Sequence, residues 1–165
     1  MRYWMIGIAL ATVAAAASAQ DAGSKWAYFE PEGQPMQAGV QNAQGAQLIL
    51  KCDKPGKKSV YAVVVTPERL VPPSRAPFVL PTEVRFDENA PQEDRWTFYD
   101  NSAVALNSRG LMSLTRFMDG LPTASKVRLR MYVERGRNIE VSFDVAGARE
   151  AIARVYESCK DDVPS

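Results

Sequence analysis

Two runs near the end of the chain alternate polar and apolar residues without a break, and they restrict the fold more than any other feature. In Lys126-Val-Arg-Leu-Arg-Met-Tyr-Val133, the residues Val127, Leu129, Met131 and Val133 share one side. In Asn138-Ile-Glu-Val-Ser-Phe-Asp144, the residues Ile139, Val141 and Phe143 do the same. Period-two alternation marks strands with one buried face. Arg135-Gly136-Arg137 between them reads as a three-residue hairpin loop with its glycine. Matching apolar faces sets the register, because a slip of one residue would turn a strand inside out. The expected pairs are Met131 with Val141 and Leu129 with Phe143 inside. Outside, the expected pairs are Tyr132 with Glu140, Arg130 with Ser142 and Arg128 with Asp144.

From Gly147 the period changes. Ala148, Ala151, Ile152, Val155 and Cys159 recur at helical spacing, with Glu150 and Arg154 four apart on the other face. The spacing predicts a short C-terminal helix whose buried side ends at Cys159. The other cysteine, Cys52, closes Ala46-Gln-Leu-Ile-Leu-Lys-Cys52, where it shares a face with Leu48 and Leu50. Both cysteines point inward, so the reading is a Cys52–Cys159 disulfide pinning the last helix to the first half of the chain. A free or metal-binding pair is the alternative; two thiols supply half a zinc site.

The compartment follows from the N-terminus. Arg2 precedes a continuous apolar and small-residue run, Trp4 to Ala17, and Ala17-Ser18-Ala19 offers a cleavage site. The run is shorter than the roughly 20 residues a membrane span needs. Residues 1–19 therefore read as a signal peptide and 20–165 as one exported, β-rich domain, with no membrane insertion after cleavage. Removing 19 of 165 residues leaves 146, and with Arg2 gone 19 basic residues face 19 acidic ones. Zero net charge offers no footprint for nucleic acid. An exported protein with two cysteines fits an oxidising compartment and one bridge; periplasm or secretion is the expected location.

Between these ends the chain reads as short strands. Lys25–Phe29 is aromatic; Met36–Gln41, Ala46–Cys52 and Ser59–Thr66 form a meander, the last apolar on both faces and hence central. Asp53–Lys58 is a lysine-bearing turn. The segment 67–81 holds five prolines and reads as an extended connection between two sheets, of undetermined role. Thr82–Asp87 and Arg95–Tyr99 follow as partners, then Ala103–Leu106. Ser108 is the expected N-cap of a helix with Leu111, Leu114, Phe117, Met118 and Leu121 on its apolar side, ended by Gly120 and Pro122. The expected fold is mainly β: a small β-sandwich or open barrel with a short internal helix and a C-terminal helix, closed by one disulfide.

The chain has no histidine. Ser-His-Asp and Cys-His chemistry and histidine metal sites are therefore out of reach. No cofactor or metal is called for. The candidate binding surface comprises Arg85, Asp87, Trp96 and Tyr99, with Arg95 and Asp100 nearby, and the face of Arg128, Arg130 and Tyr132. Arginine suits bidentate contact to a carboxylate or phosphate. The alternative for both is ion pairing on a solvated sheet, Arg128 and Arg130 being neutralised by Asp144 and Glu140. Asp87 with Asp100 is the one carboxylate pair weighed for glycan cleavage. The proline-rich connection, with Arg69, Arg75 and Phe78, is a third binding candidate.

Several short motifs recur in order: Leu48-Ile-Leu-Lys-Cys52, Val84-Arg-Phe-Asp87, Trp96, Asp100-Asn101, a leucine-rich helix, Val127-Arg-Leu-Arg130, Phe143-Asp-Val-Ala-Gly147, Ala151-Ile152 and Cys159. Over Ala46 to Cys159 this progression resembles periplasmic type VI secretion-associated proteins of the TagO/VasI kind. The resemblance implies an exported β-rich domain with a Cys52–Cys159 bridge, and no reaction. The expected function is a non-enzymatic envelope protein that binds an unidentified protein partner or assists secretion. The alternatives are a carboxylate-dependent cell-wall hydrolase and an inhibitor of a periplasmic hydrolase.

Overall fold

A computed structural model describes residues 25–72, 77–133 and 136–164. The signal segment with its cleavage site, Arg75 and Arg135 lie outside the described residues. The strands are β1 (Ala27–Phe29), β2 (Gln37–Gln41), β3 (Gln47–Cys52), β4 (Val60–Val65), β5 (Phe78–Phe86), β6 (Gln92–Tyr99), β7 (Ser102–Ala105), β8 (Asn107–Ser108), β9 (Leu111–Met112), β10 (Lys126–Tyr132) and β11 (Asn138–Asp144). The helices are α1 (Ser113–Gly120), followed by a 3-10 turn at Leu121–Thr123, and α2 (Ala148–Cys159).

Nine strands form one antiparallel sheet in the order β1-β2-β3-β4-β7-β6-β5-β10-β11; β8 and β9 make a separate ribbon. The sheet curls until its ends meet, without a ladder closing it among the described residues. Asn42 donates to the Ser142 carbonyl, Lys25 pairs with Asp144 at 2.8 Å, and the Trp26 indole donates to the Val145 carbonyl. The expected connection between two sheets is instead a crossing within one, from β4 to β5. It buries Leu70 and Val71, whose amides donate to the Asp100 carbonyl.

The enclosed face carries the core. Leu48, Leu50, Ala62, Val64, Trp96, Phe98, Leu129, Met131 and Phe143 are all fully buried. Helix α2 buries Ala148, Ala151, Ile152, Val155, Tyr156 and Cys159 against the sheet. Its last residue bonds to Cys52 across a Cα separation of 5.8 Å, and no free cysteine remains. The pair is thus a structural disulfide rather than half a metal site. Helix α1 packs Phe117 edge-on to Trp96. Gly120 at its end touches the Phe86 ring so closely that a Cβ there would lie 2.3 Å from it.

Four local expectations change. The last hairpin pairs Met131 with Ile139, Leu129 with Val141 and Val127 with Phe143, two residues away from the expected register. The Val133 amide donates to the Arg137 carbonyl, so the hairpin closes at Val133 and Arg137. Gly136, at φ 70°, then stands at the third turn position, where three-residue hairpins need a left-handed residue. A shift of two leaves every side chain on its expected face. Strand β5 begins at Phe78 and runs through Pro81. That is tolerated because, among the described residues, only β6 pairs with β5 there; pairing with β10 starts at Thr82. Ser108 sits in the small ribbon, and the Thr115 amide in the first turn of α1 is accepted by Asn107 Oδ1 instead. Strand β6 also starts three residues earlier than expected, at Gln92.

Candidate binding faces

Pairing of β5 with β10 joins two groups of residues that are far apart in sequence. Arg85 stands directly opposite Arg128, and Glu83 opposite Arg130. Arg130 also faces Glu140 on β11, so it lies between two carboxylates, at 3.5 Å and 3.3 Å. The neighbouring Tyr132 side chain, then Glu140 and Glu83, hold the guanidinium pKa above its ordinary value. The Tyr132 hydroxyl donates to Glu83. Arg85 pairs with Glu88 from the following turn at 3.0 Å. Arg128 has Ser142 beside it on β11, where Asp144 was expected; Asp144 pairs with Lys25 instead. This face is a mixed-charge surface, most of whose ions are already matched.

The other sequence candidates separate. Trp96 is wholly buried and belongs to the core. Asp87, at φ 49°, turns the chain after β5, and its carboxylate accepts the amides of Ser125 and Lys126 at 3.1 and 2.8 Å. Asp100 holds Arg69 at 2.6 Å in the turn after β6. Asp87 precedes β6 and Asp100 follows it, so the two stand at opposite ends of an eight-residue strand. That places them on the order of 25 Å apart, far beyond the roughly 5–10 Å that glycoside cleavage requires. Arg95 donates to the Val79 carbonyl, and Phe78 packs on the core. Asp94, absent from the candidates, is buried and accepts two bonds from Arg116 on α1. Its carboxylate is the first cause of the raised Arg116 pKa.

A second face has the shape of a site. The outer side of β3, β4 and β7 bears Ile49, Val63 and Val104, which pair in register as one row across three strands. Val63 and Val104 are each only 8% exposed, yet neither belongs to the enclosed core. They floor a concavity of about 550 Å³ whose walls include Val65, Leu106, Tyr61 and Tyr99. That volume lies in the range of small-molecule sites. Lys51, Lys58 and Asp53 stand at the Tyr61 end, and Ser102 and Tyr99 toward the other. Burial, then Asp53 acting by charge and hydrogen bond, pushes the Tyr61 phenol up to about 12. Of the surface residues singled out from sequence, only Tyr99 lines this groove. The available signal was the two-sided apolarity of Ser59–Thr66, which reads first as a central strand.

No protein-family model and no curated protein matches the chain. Among solved structures it is similar to the crystal structure of invasion associated protein B from Bartonella henselae, with a TM-score of 0.56 and 11% identity, covering 87% of this chain and 100% of that one. At that identity the likeness is one of fold.

Proposed function

We propose that the protein is a non-enzymatic binding protein of the cell envelope, acting through the groove on the outer side of β3, β4 and β7. Two valines sunk outside the core carry this reading, because a solvated sheet face has no reason to be concave and apolar. Export to the periplasm, by a signal peptide in residues 1–19, is the setting. The resemblance to TagO/VasI-type proteins makes an accessory role in secretion the context. The acidic residues weighed for hydrolysis are engaged in turns and ion pairs, which favours binding over cleavage. Immobilised protein should retain a saturable component of envelope extract, and Ile49→Asp and Val104→Asp should each abolish retention while the melting transition persists. Unchanged retention by both variants would remove the groove from the reading. Peptidoglycan turnover lost in Asp87→Asn or Asp100→Asn would replace it with an enzymatic one.

A further inference from the structure

We infer that the groove binds a single-chain acyl carboxylate, a ligand with one apolar tail and one anionic head. This deepens the binding reading above and rests on it. The argument starts with how polarity is distributed along the groove. The middle row, Ile49-Val63-Val104, offers no hydrogen-bonding side chain. The next row toward α2 pairs Lys51 with Tyr61, and the turn beyond it brings Lys58. The row on the other side pairs Gln47 with Val65 and Val65 with Ser102. Cationic groups therefore stand at one end of an apolar floor.

Two acids stand at that end as well, each directed to neutral donors and not to a lysine ammonium. Asp53 acts on the Tyr61 phenol by charge and hydrogen bond. Asp161 accepts the backbone amides of Lys58 and Ser59 at 2.9 and 3.1 Å. Among the described residues, neither the Lys51 nor the Lys58 ammonium has an ion partner within 4 Å. Two cations beside a dry floor complement a carboxylate whose tail lies along the valines.

The floor also selects against a peptide. Strands β3, β4 and β7 each have a ladder neighbour on both sides, so their backbone groups are directed within the sheet. A peptide laid on the valine row would bury its own amides against side chains that can neither donate nor accept, which is costly. An acyl chain carries no such groups. From the Lys51 row to the Val65 row is four residues, about 13 Å of strand, which suits an extended tail of roughly ten carbons.

The test uses decanoate, decanol and decyltrimethylammonium, each below its micelle-forming concentration, against the full protein. Titration should give saturable one-to-one binding of decanoate with shifts in the Ile49, Val63 and Val104 methyl resonances. Affinity should rise about two- to fourfold per added methylene from octanoate to dodecanoate. Lys51→Glu and Lys58→Glu should each weaken decanoate at least tenfold and leave decanol unchanged. Decyltrimethylammonium binding as tightly as decanoate would overturn the carboxylate assignment while leaving the groove as a site. Absence of methyl shifts with all three probes would overturn the ligand class. The groove reading itself then stands or falls on the Ile49→Asp and Val104→Asp retention experiment. A concentration-dependent dimer that dissociates in Val104→Asp would assign the floor to a second copy and overturn the proposal.

Discussion

Arg130 lies between Glu140 on β11 and Glu83 on β5, with a guanidinium nitrogen 3.3 Å from one carboxylate and another 3.5 Å from the second. Each acid can compensate for loss of the other. Glu83→Gln and Glu140→Gln should therefore each leave the melting temperature near that of the parent, and the double variant should lose more than the two singles together. Differential scanning calorimetry at low and high salt checks this. Simple additivity would mean that the three groups do not act as a network.

Cys159 ends α2 against Cys52, and the same end of the helix is held by a few polar contacts. The Gly56 amide donates to the Cys159 carbonyl, and the Met36 amide to Ser158 Oγ. Cys159→Ser should cost about 2–5 kcal/mol. Hydrogen exchange should rise first in α2, since a 12-residue helix is marginal without tertiary support. Thiol titration of unfolded, unreduced protein should find no free thiol.

Asp94 is nearly inaccessible and depends on Arg116 for two hydrogen bonds, with the Arg95 amide supplying another. Arg116→Leu strands the carboxylate and should cost about 2–4 kcal/mol. Adding Asp94→Leu should recover part of that loss, because the uncompensated charge goes with it. Chemical denaturation of the three variants measures the recovery.

Asp87 satisfies two amides at the start of β10 while holding a left-handed backbone. Asp87→Ala loses both functions and should cost about 2–3 kcal/mol. Asp87→Asn keeps an acceptor and tolerates positive φ, so it should cost about half as much. Equal losses would show that charge, not geometry, matters at this turn.

Asp144 has its pKa lowered from 3.8, first by its hydrogen bond with Lys25. A lowered folded pKa means stability that is present above the unfolded value and lost as pH falls through the folded one. The pair is half exposed, so screening limits it to about 0.5 kcal/mol. Asp144→Asn should thus be slightly destabilised at pH 7 and equal to the parent near pH 2. Tyr61 works in the opposite direction. With its pKa raised to about 12, the folded chain retains a proton that the unfolded chain loses near pH 10. Stability should therefore fall between those values, less steeply in Tyr61→Phe.

The sequence made legible whatever is written in one strand or one helix. Leu129 and Phe143 face inward as their alternation requires, and Cys159 lies on the face its spacing predicts. Residues whose meaning depends on distant partners were not legible. Arg85 and Arg128 look like two separate surfaces until β5 and β10 pair. Val104 has nothing to distinguish it until β7 brings it beside Val63 of β4. Asn107 caps α1 from eight residues before Thr115, across a ribbon too short to leave a periodic pattern. The hairpin register depended on which turn position Gly136 occupies, and spacing alone gave no answer.

The sequence separation of 107 between the two cysteines imposes an order in time. A chain made from its N-terminus presents Cys52 long before Cys159 exists. Eight of the eleven strand segments among the described residues, β4 to β11, lie within that interval, so most of the domain must be delivered while the first thiol is still unpaired. Strands β3 and β4 can pair early, but Cys52 remains a reactive group until α2 arrives to cover it. Covalent closure therefore waits for α2. A chain stopped short of that helix carries an unpaired Cys52 thiol that marks it as unfinished.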